Sequence, residues 1–94
     1  MAAEKYRFNY WRGSDMGIER IYVRDGPDEY GYFERDPWNK GVSWSGADGG
    51  SVEVLDALFG TKRIGPHASW RMASEEGDTA VIWRALLHLA GVGR

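Results

Sequence analysis

An α+β domain, an antiparallel meander of three to five strands with a short helix and a C-terminal helix packed on the sheet, is what this sequence predicts. Three observations carry that expectation. The first half alternates apolar and polar side chains at period two, broken by Gly, Pro and Asp turns, which is how strands and tight connections read. The end of the chain switches to helical spacing. The 94 residues, 43% hydrophobic and 28% charged, suit one ordinary globular domain spanning 1–94 with a modest core.

The elements follow in order. In 5–12, Tyr6, Phe8 and Tyr10 alternate with Arg7, Asn9 and Trp11, giving a strand with an aromatic face. A turn over 13–17 leads to 18–24, where Ile21 and Val23 oppose Arg20, Tyr22 and Arg24, completing a hairpin. Asp25-Gly26-Pro27-Asp28 is a strong turn signal because Gly tolerates positive φ and Pro fixes its own. A third strand is expected over 30–35, a turn over 36–41, and a short fourth strand over 42–45. Gly46 to Gly50 reads as a flexible break. Ser51 would then cap a helix over 52–59, closed by Gly60.

Ala68, Trp70 and Met72 alternate with Ser69 and Arg71, which predicts a last strand. The final helix starts at Ser74 or Asp78. An internal glycine would cost ~1 kcal/mol at Gly77, which favours Asp78. Its body runs over 80–90 and stops at Gly91. Apolar residues cover roughly 240° of this helix, far more than the ~100° a surface helix needs. Only Arg84 and His88 mark a polar side. That excess predicts either a helix held between two layers or a stripe, including Trp83 and Leu87, that meets a second copy in a homodimer.

Composition excludes several classes of chemistry. The chain contains no cysteine, so it has no disulfide, thiolate nucleophile or thiolate metal site. No apolar run approaches the ~18 residues of a membrane span, and the start lacks a signal-peptide core; a cytoplasmic location is expected. Net charge is −2, which gives no overall pull on nucleic acid. The charges are nonetheless unevenly placed: acids crowd 25–36, whereas 57–74 holds no acid and carries Lys62, Arg63 and Arg71 with His67.

Catalytic constellations are missing. Gly46 to Ser51 follows neither the dinucleotide fingerprint nor the phosphate-binding loop. His67 and His88 have no neighbouring His motif, and the acidic pairs lack the alternating calcium-loop pattern. Turn chemistry and helix capping account for them. No enzyme activity, metal or cofactor is therefore expected.

Aromatic content is the unusual feature. Five Trp, five Tyr and three Phe are more ring than so small a core encloses, and exposed Trp, Tyr and Arg are the residues enriched at binding hot spots. The sequence thus predicts a non-catalytic protein-binding module, such as a small inhibitor, immunity-type or accessory factor of a bacterium or phage. Trp11, Tyr22, Arg24, Trp38, Trp70, Arg71, Trp83 and Leu87 are its candidate contact residues. The alternative is a nucleic-acid-binding domain in which strand aromatics stack on bases while Arg7, Arg20, Lys62 and Arg63 contact phosphates.

Overall fold

The computed structural model describes residues 5–13, 17–36, 38, 41–60, 63–64 and 69–92. Four strands, β1 (Tyr6–Arg12), β2 (Glu19–Asp25), β3 (Asp28–Arg35) and β4 (Val42–Gly46), form one antiparallel sheet in the order β1-β2-β3-β4. Three helices follow: α1 (Gly50–Leu58), α2 (Trp70–Glu75) and α3 (Thr79–Leu89). This is the α+β meander that the alternation predicts.

Register decides which side chains share a face. β1 and β2 pair without interruption, placing Phe8 opposite Val23, Tyr10 opposite Ile21 and Trp11 opposite Arg20. β2 and β3 pair evenly until Val23, which faces Gly31; Arg24 then faces Glu29. Tyr30 is the extra residue of this bulge. Its ring lies 5.6 Å from Tyr6 and 5.9 Å from Trp44.

The helices cover one face of the sheet. Ile21, Val23 and Phe33 are buried there against Val54, Ala73, Ile82 and Leu86. α1 rests on β3 and β4, α3 on β4, and α2 on α3, so the helical layer sits mainly over the β3–β4 half. Phe8 and Tyr10, on the same face of β1, remain half-buried.

Trp44 anchors the β4–α1 corner. Its indole N–H donates to the Ala47 carbonyl at 3.0 Å. A Cβ at Gly31 would come within 2.4 Å of this indole, and one at Gly50 within 2.6 Å. Only bare backbone fits on both sides of the ring. The segment expected to be a flexible break is therefore a fitted corner, tied further by the Ala47 amide donating to the Tyr30 carbonyl at 3.1 Å. For the same reason α1 begins one residue before the expected Ser51 cap. Gly49 is its N-cap, with no side-chain hydrogen bond.

The predicted strand around Trp70 is a helix instead. Ser69 stands at its N-cap in extended conformation, and its hydroxyl accepts from the Met72 amide. Trp70 and Ala73, three residues apart, are both buried, a helical spacing that overrides the short alternation. Ala68 lies outside the described residues. α2 ends at Gly77, whose φ is +79°. The Gly77 amide donates to the Ser74 carbonyl and the Asp78 amide to the Ala73 carbonyl, the paired bonds of a Schellman stop. Asp78 is then the N-cap of α3, as expected, and Ser74 belongs to α2.

Candidate interaction surface

The face of the sheet turned away from the helices collects the polar half of every strand. Across it run Trp11, Arg20, Glu34 and Ser43 in one row, and Asn9, Tyr22, Tyr32 and Ser45 in the next. A third row holds Arg7, Arg24 and Glu29. Its sequence-level partition into Arg7, Asn9 and Trp11 against Tyr6, Phe8 and Tyr10 is the one observed.

Arg20 organises the centre. Its Nε donates to Glu34 Oε1 at 2.7 Å, and its Nη1 donates to the Tyr22 hydroxyl at 2.9 Å. The guanidinium lies 4.5 Å from the Tyr32 ring centroid and 5.3 Å from that of Trp11. The Tyr22 hydroxyl first, and then the Glu34 carboxylate, hold this group in its charged form, above its ordinary pKa. A guanidinium held on two rings, a carboxylate and a phenol serves as the face's fastener. It fixes Trp11, Tyr22 and Tyr32, the last two with ring centroids 5.2 Å apart, as a preset aromatic platform. Trp11 still exposes 45% of its surface.

Beside the platform sits a pair of arginines, with Glu29 opposite Arg24 in the same row. Arg7 directly opposes Arg24, an arrangement in which like charges repel. Arg24 donates to the Pro27 carbonyl at 3.1 Å, and no hydrogen bond or ion pair among the described residues holds the Arg7 guanidinium. The two arginines stand at one end of the aromatic strip.

The chain matches no family model, no curated protein and no solved structure.

The other predicted contact residues separate clearly. Trp38 is 70% exposed in the β3–β4 connection, where its amide donates to Asp36 Oδ1 at 2.9 Å. Trp70 is only 6% and Trp83 only 1% exposed. Both are corrected from surface anchors to core residues, because helical geometry turns each ring inward. Trp70 donates its indole N–H to Asp56 Oδ1 at 3.1 Å, and Arg71 donates to Asp56 Oδ2 at 2.7 Å while stacking 4.7 Å from Trp70. This cluster joins α2 to α1 and leaves Arg71 committed within the fold. Leu87 is half-buried and packs on the core. The wide apolar arc of α3 is thus largely used by the domain itself: Val81, Ile82, Trp83 and Leu86 are buried, and of its large apolar side chains only Leu89 is exposed. The stripe that sequence reading offered to a second copy is not a free surface.

Among the nucleic-acid candidates, Arg63 is exposed, while Lys62, like His67, lies outside the described residues. Arg20 is spent on Glu34 and Tyr22. Tyr32 and Glu34 are surface residues that the sequence reading left out, although their alternation with Phe33 in 30–35 places them on this face. Among the described residues no three His, Asp or Glu side chains gather as a metal ion would require. No helix among the described residues is long and apolar enough to cross a membrane.

Proposed function

We propose that this chain is a non-catalytic protein-binding module whose contact surface is the helix-free face of the sheet. One observation carries the reading: Trp11, Tyr22 and Tyr32 are held in place by Arg20 on a face that no helix covers. Rigid aromatic side chains flanked by arginine supply large contact area at small entropic cost. The partner that fits presents an apolar group to Trp11 and a carboxylate to Arg7 and Arg24. A small inhibitor, immunity-type or accessory factor uses its surface in this way.

The test is affinity capture with crosslinking at residues flanking Trp11, followed by comparison of variants. Binding to the captured protein is expected to survive about 0.5 M salt, at which screening confines electrostatics to a few ångströms. It should fall at least tenfold in Trp11→Ala, as expected of a hot-spot residue. Trp38→Ala should bind normally. Capture unaffected by Trp11→Ala would end this reading. Steep salt-dependent binding to single-stranded nucleic acid, weakened by Arg7→Ala and Arg63→Ala, would replace it with the nucleic-acid alternative.

A further inference from the structure

The open edge of β1 is a self-complementary surface, and we propose that two copies of this chain pair through it, antiparallel, in a two-fold dimer centred on Asn9. β1 is the first strand of the sheet and no described strand flanks its outer side. The Gly13 amide donates to the Ile18 carbonyl at 2.8 Å, where the β1–β2 register continues by one residue. Antiparallel ladders alternate. The backbone groups of Trp11, Asn9 and Arg7 therefore face β2, and those of Tyr6, Phe8 and Arg12 face outward.

Proteins guard such edges with charged side chains, proline, bulges, short strands or covering elements. β1 carries the charged Arg7 and Arg12 but none of the other devices: it is seven residues long, holds no proline, pairs with β2 without a bulge, and lies away from the main contacts of the helices. The opposite edge, β4, is five residues long, ends on Gly46 and has α1 and α3 beside it. The exposed edge of the sheet is thus the longer and flatter of the two.

A second β1 fits because of its own sequence. Only pairing about Asn9 matches all seven residues of the strand with seven of the other copy. In that register Tyr6 of one copy faces Arg12 of the other, Arg7 faces Trp11, Phe8 faces Tyr10, and Asn9 faces itself. No like charges stand opposite each other. On the platform face the Arg7 guanidinium, which no hydrogen bond holds among the described residues, gains the half-exposed Trp11 ring. On the helix side, half-buried Phe8 meets half-buried Tyr10. Equal parity joins like faces, so both platforms merge into one. A strand pair of this length lies at the small end of specific interfaces, under ~1,200 Å², so the dimer is weak and reversible.

Light scattering over a concentration series checks it. The wild-type mass should rise reversibly from 10.6 kDa toward twice that value. Asn9→Lys, which puts two ammonium groups on the two-fold axis at an exposed site, should stay monomeric and weaken association at least tenfold with its thermal midpoint unchanged. A second variant covers failure to fold. The chain lacks cysteine, and residues directly opposite across such a seam lie within disulfide reach. Asn9→Cys should form an oxidised dimer at least tenfold faster than Ser43→Cys, whose site is an exposed residue of β4. A wild type that stays monomeric at millimolar concentration, a dimer untouched by Asn9→Lys, or equal oxidation rates would overturn the proposal. The partner-binding reading would survive that result, because Tyr22 and Arg24 lie on β2 and need no second copy.

Discussion

Tyr30 shows how a single residue connects surface chemistry to stability. Partial burial first, and then the nearby Glu53 carboxylate at the start of α1, raise its hydroxyl above the ordinary 10.0. The folded chain therefore keeps this proton at pH values where the unfolded chain has lost it. By linkage, the stabilising contribution is intact below about pH 10 and disappears as pH rises through the folded value. Thermal midpoints measured from pH 8 upward should fall past pH 10, and the fall should be shallower in Tyr30→Phe. An identical slope in both proteins would assign the alkaline sensitivity to another group. Arg20 works at the same scale, and its partners likewise keep its proton in place. Its charge is secured within the face by Tyr22 and Glu34.

At the level of elements, the glycines around Trp44 turn a strand, a corner and a helix start into one unit. A methyl at Gly31 would meet the indole at 2.4 Å and the Ser45 carbonyl at 2.6 Å. Neither neighbour can retreat without moving β4. Gly31→Ala should therefore cost about 1–3 kcal/mol or more, the range of overpacked cores, read as a lower denaturation midpoint. A change within about 0.5 kcal/mol would show that the corner yields. The elements also show what was legible beforehand. Period-two alternation gave β1 to β4 because each strand has one covered and one open face, so burial and sequence share a rhythm. The same rhythm misled at Trp70, where five alternating residues are too few to tell a strand from the first turn of a helix. The Ser69 cap and the inward side of the helix decided it. The corner at 46–50 was hidden for a different reason: glycines that make room for a distant ring carry no local signature.

The whole molecule divides its aromatic rings between two tasks. Tyr6, Phe33, Trp70 and Trp83 are enclosed, so part of the excess that suggested a docking surface is core material. Phe8, Tyr10, Tyr30, Trp44 and Phe59 pack half-buried against that core, which leaves Trp11, Tyr22 and Tyr32 on the open face and Trp38 in the β3–β4 connection. This division predicts opposite outcomes for two tryptophans. Trp83→Ala should destabilise by about 3–5 kcal/mol, as emptied aromatic sites in cores do. Trp38→Ala should stay within about 0.5 kcal/mol, as exposed positions do. Chemical denaturation compares them directly, and equal costs would contradict the partition. The helical layer is also set toward β3 and β4, leaving the far side of the sheet as the thin margin of the domain, where the open face and the β1 edge adjoin.

The bulge in β3 has a further implication for how this chain tolerates change in length. Because Val23 faces Gly31 while Arg24, the next residue, already faces Glu29, excising the residue between those two partners would leave every strand with the neighbours it has now. The hairpin would simply become regular. What the shortened molecule would forfeit is the phenol wedged between Tyr6 and Trp44, and with it the tie from sheet to first helix.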